Sequence, residues 1–365
     1  MKRTFPLHIH ISILFLSLIL LVGGSIGSIG YKLSRDMLET MVSGLTDRIS
    51  RETFSELQRS IAPAEMATNV LSHDALIESR SLPERLRRLS FMRKMLDSSA
   101  LVSSLYVGYA SGDFFYIRRV HNDKERDNFK APHATRYIVQ SIEHAAGGVR
   151  GRYVFIDDAL KILGEEDRPE FARTYDPRAQ DWYKKAMAAP GQVKLEPHLL
   201  FSYRRVGASI ATHMQNKRGV VGADILLDTL NEHLAQQKVT PNTQVVLAHP
   251  LGLVIAHENA NRLIAAPEMS DATPRFTRID ELGSPVLSVL AKQIKTMPNT
   301  ASTRRITMAD GDWRVTIHPL QLEGAPPLFL INAIPESELL ASVLELRSTS
   351  IWATAIIILL AAPIA

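Results

Sequence analysis

Residues 101–120 read LVSSLYVGYASGDFFYIRRV. Two runs rich in Val, Tyr, Phe and Ile flank Ser111-Gly112-Asp113. Glycine takes the positive φ of a tight turn without steric cost, so this stretch predicts a β-hairpin. Downstream, GRYVFIDD (151–158) is a further strand. FSYRRVGASIATHMQ (201–215) and GVVGADILL (219–227) are two more, turning at Asn216-Lys217-Arg218-Gly219. Five antiparallel strands with helices inserted between them make an α+β unit.

A similar unit follows. TQVVLAHPLGLVIAHE (243–258) is strand, Pro-Leu-Gly turn, strand. RRITMADGDWRVTIHPL (304–320) is strand, Ala-Asp-Gly-Asp turn, strand, and PLFLINAIP (327–335) is a last strand. The hairpin turns at Gly112, Gly252 and Gly311 correspond, so the repeat lies in architecture and not in residue identity.

Upstream of the hairpin the pattern is helical. Leu33, Met37, Met41, Leu45 and Ile49 recur every four residues, with Leu57 and Ile61 further along. This is the apolar stripe of one long helix over residues 31–72, with Asp36, Asp47, Arg48 and Glu52 between the stripe positions. Such a stripe can pack on the domain behind it, pair with a second copy of itself, or do both. PERLRRLSFMRKMLD (83–97) is a second amphipathic helix with Pro83 near its start.

Both ends of the chain are apolar. Residues 11–30 read ISILFLSLILLVGGSIGSIG, and no Asp, Glu, Lys or Arg occurs between Thr4 and Tyr31. Twenty helical residues span about 30 Å, the thickness of a bilayer core. Lys2 and Arg3 precede this run, and basic flanks stay in the cytoplasm. A cleaved signal peptide is the competing reading, although no Ala-x-Ala site follows. After Arg347 the chain closes with STSIWATAIIILLAAPIA, eighteen residues without a charge. We therefore expect two transmembrane helices, 11–30 and 349–365. A short cytoplasmic N-terminus, 1–10, precedes them, and residues 31–347 lie outside the cell inner (plasma) membrane. A span ending without a polar flank further suggests the front part of a longer protein. A buried C-terminal helix is the alternative.

Composition narrows the function. The 365 residues include 42 Lys+Arg, 38 Asp+Glu and no Cys. Without cysteine there is no disulfide framework, no thiolate nucleophile and no Cys-ligated metal. A net charge of +4 without a basic block argues against a nucleic-acid partner. No phosphate-binding loop, dinucleotide turn, nucleophile elbow or His-Glu-x-x-His helix occurs. His249 and His257, eight apart across a hairpin, lack a nearby third ligand. Glu165-Glu166-Asp167 reads as a solvated loop before Pro169. No cofactor, metal or catalytic residue is expected, and the chain is not read as an enzyme.

The order of elements resembles the double Cache sensor domain of bacterial membrane receptors. The segment Tyr175-Asp176-Pro177-Arg178-Ala179-Gln180-Asp181-Trp182-Tyr183-Lys184-Lys185-Ala186 is similar to the family's segment entering a short helix beside its ligand pocket. Gly219-Val220-Val221-Gly222-Ala223-Asp224-Ile225 resembles its closing strand. The resemblance covers residues 31–345. It implies a long signalling helix and a second helix (31–98), followed by two PAS-like units. These are a membrane-distal unit (99–235) that binds the ligand and a membrane-proximal unit (236–345). It also implies a cytoplasmic output module of cyclase, phosphodiesterase, kinase or chemoreceptor type. FPLHIHIS (5–12) is faintly similar to receptors with cyclase or phosphodiesterase outputs.

The residues point to a pocket on their own account. Asp176 can cap a helix whose first turn holds Pro177, and Trp182, Tyr183, Ala186 and Met187 form one face. Trp and Tyr combine flat apolar surface with one polar handle. Asp224 interrupts the apolar run Val220–Leu227, where a carboxylate is costly unless paired. Arg204, Arg205, backbone or a cationic ligand group could pair it. The resemblance places Trp182, Tyr183 and Asp224 on the ligand, Gln180 and His198 as selectivity residues, and Tyr203 as a further contact. In amino-acid-sensing members of the family an Arg stands at the position of Gln180 and a Tyr at that of His198. Gln cannot form the charged two-pronged clamp that Arg makes on a carboxylate, so an ordinary α-amino acid is disfavoured. The expected partners are a small polar organic ligand (an amine, nucleobase-like or similar compound), membrane lipid and a second copy through the N-terminal helix. The alternative is a membrane-anchored solute-binding or adhesion protein without signalling output.

Overall fold

The computed structural model describes residues 7–145, 147–200, 205–265, 275–297, 299–322 and 326–339, with Ala341, Trp352, Ala355 and Ile356 beyond. One helix, α1 (Leu7–Leu71), runs 65 residues, roughly 100 Å at about 1.5 Å per residue. Among the described residues it is the one helix long and apolar enough to cross a membrane. The second expected span, 349–365, lies almost wholly outside the described residues. The second predicted helix is two pieces, α2 (Leu82–Leu86) and α3 (Leu89–Asp97), separated by a turn at Arg87 and Arg88. Arg88 is held there by Asp74, whose carboxylate also caps the short turn Ala75–Glu78.

The first sheet has nine strands where five are expected. They are β1 (Val102–Tyr109), β2 (Phe114–Arg119), β3 (Tyr137–Ala145), β4 (Gly148–Ile156), β5 (Ile162–Asp167), β6 (Val193–Lys194), β7 (His198–Leu200), β8 (Arg205–His213) and β9 (Gly219–Leu226). Their order is β5-β4-β3-β2-β1-β9-β8-β6, with β7 also on β8, and every pairing is antiparallel. The predicted hairpin forms, with Gly112 at φ +92. Glu165-Glu166-Asp167 is not a loop but part of the edge strand β5, whose exposed side chains produce the loop-like composition. Helices α4 (Asp123–Asn128), α5 (Pro169–Thr174), α6 (Asp181–Ala188) and α7 (Asp228–Gln236) flank this sheet.

The second sheet comprises β10 (Gln244–Ala248), β11 (Val254–His257), β14 (Ser302–Met308), β15 (Gly311–Leu320) and β16 (Leu328–Pro335), in the order β11-β10-β16-β15-β14. A two-stranded ribbon, β12 (Ile264–Ala265) with β13 (Arg275–Phe276), and helix α8 (Pro285–Gln293) lie between β11 and β14. Taken within its own unit, the order runs second, first, last, penultimate, then an intermediate strand. The segment β2-β1-β9-β8 with β6 and β7 follows the same order. The first sheet is therefore the second one extended past its β2 edge by β3, β4 and β5.

Helix α1 serves the two sheets differently. Its upper half buries Leu57, Ile61, Ala64, Ala67 and Leu71 in one apolar core with Leu105, Phe115 and Val221 of the first sheet. Each fully buried Leu contributes roughly 1.5–3 kcal/mol. That packing carries the helix through Pro63, which cannot donate to the carbonyl one turn back. The lower half also meets the second sheet through polar and charged side chains. Arg314 lies 3.0 Å from Glu39 and 3.2 Å from Glu336, Arg305 also holds Glu336, and Asp47 stands 3.5 Å from His318. The predicted stripe thus divides: Ile49, Leu57 and Ile61 are buried, whereas Leu33, Met37, Met41 and Leu45 are 40–68% exposed.

Candidate functional site

The site lies on the face of the first sheet turned away from α1. In the hairpin, Leu105, Val107, Phe115 and Ile117 enter the core behind the sheet. Strand alternation sends Ser104, Tyr106, Phe114 and Tyr116 to the opposite face. Cross-strand register then assembles a row of distant residues. Gly222 stands opposite Tyr106, Tyr106 opposite Tyr116, Tyr116 opposite Gln140, and Gln140 opposite Tyr153. One step along the strands, Asp224 stands opposite both Ser104 and Ser209. Gly222 is required here: a Cβ at that position would sit 2.2 Å from the Tyr106 ring.

The segment around Trp182 forms the wall over this floor. Asp176 accepts a hydrogen bond from the Arg178 N–H at 2.9 Å and caps the short turn Pro177–Ala179, while Gln180 begins α6. The predicted face of α6 splits. Tyr183 and Ala186 pack beneath the helix against Ala211 and Val220, and Met187 is exposed. Trp182 turns to the sheet and meets the Tyr106 ring edge-on at 4.8 Å. It approaches so closely because residue 108 is glycine; a Cβ there would lie 2.7 Å from the indole. Helix α5 and the residue after it add Phe171 and Tyr175, stacked at 5.5 Å, with Tyr175 packed on Phe114 at 4.8 Å. Floor and wall enclose about 1100 Å³ of space open to solvent.

Asp224 is the charge in this pocket, and it is 7% exposed. Its Oδ1 accepts hydrogen bonds from the Ser209 hydroxyl at 2.5 Å and the Tyr106 hydroxyl at 3.0 Å. Its Oδ2 accepts one from Ser104 at 2.7 Å. Among the described residues no side-chain cation pairs with it. Arg205, one expected partner, is held by Asp228 instead, and Arg204, the other, lies outside the described residues. Burial first, and the neighbouring carboxylate second, raise the Tyr106 hydroxyl well above the ordinary Tyr pKa, so it remains a donor. Burial likewise raises Tyr175. The His198 ring has Nδ1 3.0 Å from the Glu196 carbonyl and Nε2 3.3 Å from the Ser209 hydroxyl. The Gln180 amide donates to the Asp176 carbonyl at 3.3 Å. Glu196 also contacts His249 of the second unit at 3.2 Å, while His257, on β11, bonds around Asn259.

Of the residues singled out in the sequence, Trp182, Asp224, Gln180 and His198 line one pocket. Tyr183 does not line it, because the helix rotates that ring into the packed layer below. Tyr203 lies outside the described residues. Tyr106, Phe114, Tyr116, Gln140, Tyr153 and Ser209 also line the pocket without having been foreseen. Alternation within 104–116 could have pointed to the first three. Gln140 and Tyr153 carry no local signal, because their place depends on pairing between strands.

No family model matches the chain. An adenylate cyclase of Rhizobium meliloti is 26% identical over 273 residues, which is 72% of this chain and 39% of that protein. A methyl-accepting chemotaxis protein of Bacillus subtilis is 34% identical over 118 residues, 30% of this chain and 18% of that protein. Another, of Pseudomonas syringae, is 33% identical over 93 residues, 25% of this chain and 15% of that protein. The chain thus spans about two fifths of the first relative and under a fifth of the others. Among solved structures, the ligand-binding domain of a Campylobacter jejuni chemoreceptor in complex with 4-methylisoleucine aligns with 83% of this chain and 93% of that one, at TM-score 0.49 and 13% identity. That of a Pseudomonas fluorescens chemoreceptor in complex with L-isoleucine aligns with 85% of this chain and 98% of that one, at TM-score 0.47 and 15% identity.

Proposed function

We propose that the chain is the extracytoplasmic sensory input region of a bacterial membrane receptor of the double Cache type, and that it binds a small organic cation in the first unit. The observation that carries this is Asp224, a nearly buried carboxylate at the end of an open pocket, held by three hydroxyls. Hydroxyls satisfy its lone pairs, no cation among the described residues balances its charge, and a ligand ammonium would do so. Gln180 offers no positive charge for a ligand carboxylate, which favours an amine over an α-amino acid. Asp224, Trp182, Gln180 and His198 are the proposed contacts, with Tyr183 a support beneath them.

The similarity to a cyclase and two chemotaxis proteins supports the sensory reading. The strand order common to both sheets supports two PAS-like units, membrane-distal (99–235) and membrane-proximal (236–345). Lys2 and Arg3 before the apolar start of α1 support an extracytoplasmic location for residues 31–347, anchored in lipid. The exposed stripe Leu33, Met37, Met41 and Leu45 supports pairing with a second copy. The output module, of cyclase, phosphodiesterase, kinase or chemoreceptor type, would follow residue 365. A melting screen of the full chain in nanodiscs tests the ligand class. A ligand at a hundred times its dissociation constant stabilises by about 2.7 kcal/mol. Amines should shift the transition and unmodified α-amino acids should not; a shift with α-amino acids alone would overturn the cation assignment. A periplasmic-active phosphatase fused after residue 339 should be active, and an inactive fusion would overturn the topology.

A further inference from the structure

The pocket has two chemically distinct ends. The charged end, with Asp224, Ser104, Ser209 and Tyr106, belongs to the strand arrangement that both sheets share. The other end exists because the first sheet alone continues through β3, β4 and β5. Gln140 on β3 and Tyr153 on β4 form its floor, and Phe171 on α5 and Phe129 after α4 form its walls. Phe171 meets Tyr153 edge-on at 5.6 Å, and Phe129 is 6.0 Å from the same ring. Eight of the chain's 24 aromatic residues (3 Trp, 9 Tyr, 12 Phe) line this one pocket. Among the rings on strands, Tyr106 stands next to Asp224, whereas Phe114, Tyr116 and Tyr153 lie two to four strands away and out of reach of a small cation held there. Strands are spaced about 4.8 Å apart, so Tyr116 on β2 is two spacings, roughly 10 Å, from Asp224 on β9. An ammonium, a two-carbon spacer and a ring together match that reach.

We infer that the ligand is an arylalkylamine, its ammonium at Asp224 and its ring lying over Tyr116 toward the aromatic annex built by β3, β4 and α5. This rests on the assignment of the pocket to an organic cation and adds the ring. Flat rings stack favourably at offset or edge-on geometries, and a buried ring contributes through its apolar area. Carboxylate and annex lie side by side, which suits a molecule with its charge at one end. A bare quaternary ammonium would instead need rings gathered around the charge.

The test is calorimetric titration of the full chain in nanodiscs, with empty nanodiscs as the blank. The probes are 2-phenylethylammonium, ethylammonium, tetramethylammonium and 3-phenylpropionate. We expect 2-phenylethylammonium to bind about 30-fold more tightly than ethylammonium, the gain from burying one phenyl ring, and 3-phenylpropionate not to bind. Tyr116→Leu, which keeps apolar bulk but loses the flat ring, should remove the stacking share of that gain, about 3- to 10-fold, and change ethylammonium affinity far less. Its melting temperature reports whether the fold is intact, and Gln140→Ala provides a second, smaller change in the same annex. Equal affinities for ethylammonium and 2-phenylethylammonium would overturn the annex while leaving the organic-cation assignment standing, and tetramethylammonium binding as tightly as either would do the same. Binding of 3-phenylpropionate without either primary amine would overturn both. Absence of binding by 2-phenylethylammonium overturns the annex, and the wider amine screen then decides the cation assignment separately.

Discussion

Replacing Asp224 by Asn removes one charge at almost constant volume and separates the two roles this residue could play. In the protein the carboxylate accepts from Ser209 and Tyr106 on one oxygen and from Ser104 on the other. An Asn oxygen placed toward Ser209 and Tyr106 keeps those two bonds. Its amide nitrogen then faces Ser104, whose hydroxyl can rotate and accept. The cost is the loss of charge assistance on three bonds, offset by no longer burying a carboxylate that has no counter-ion among the described residues. We expect a net stability change within about 1 kcal/mol, a shift of roughly 2–4 °C for a folded region of this size. Binding should respond far more. A desolvated ammonium that loses its only charged partner costs on the order of 2 kcal/mol or more, about 30-fold in affinity. The assay pairs a melting curve with calorimetric titration of an amine that stabilises the parent chain. Affinity within about threefold of the parent, with the fold intact, would refute Asp224 as the anchor. Loss of folding would show that the carboxylate is scaffold.

Three further outcomes follow from the packing. Gly222→Ala would place a Cβ 2.2 Å from the Tyr106 ring, so the variant should lose about 1–3 kcal/mol of stability and bind more weakly; unchanged melting and affinity would contradict the register of β1 on β9. The cysteine-free chain allows clean crosslinking: Met41→Cys, on the exposed stripe, should form a disulfide dimer in membranes, whereas Thr46→Cys, fully buried on the opposite side of the helix, should not. Burial lowers His318 below the ordinary His pKa, opposed by Asp47, so the folded chain binds fewer protons there than the unfolded chain does. Stability should therefore fall as pH drops below about 6.5, and His318→Gln should shallow that decline in a pH series of melting curves; His257, shifted the same way by burial, adds to it.

Wherever the signal is local, the sequence already carries the structure. Residues 101–120 alternate with period two around a glycine, and they form β1, a turn at positive φ, and β2. The five strands of the second sheet occupy the runs that their composition marks. Gly, Pro and β-branched residues act on their own backbone and immediate neighbours, so these elements are legible without a partner. Asp224 within an apolar run and Trp182 after Asp176-Pro177 are legible as candidate site residues for the same reason.

What the residues touch is a different matter. The apolar stripe of α1 says that one face wants cover, but only the assembled fold covers Ile49, Leu57 and Ile61 while leaving Leu33, Met37 and Met41 open. Trp182 and Tyr183 are adjacent in sequence, yet the rotation of α6 on β8 and β9 sends one to the pocket and the other to the packed layer. The charged run Glu165-Glu166-Asp167 reads as loop because an edge strand can leave its side chains in water, and only pairing with β4 makes it a strand. Gln140 and Tyr153 enter the pocket because β2, β3 and β4 stack in one register. Sequence by itself determined the long helix, the hairpins at Gly112, Gly252 and Gly311 and the carboxylate, because each follows from propensity and period over a few residues. Tertiary structure decided the extension of the first sheet, the second end of the pocket and the division of α1, because those depend on contacts between residues that the chain holds far apart.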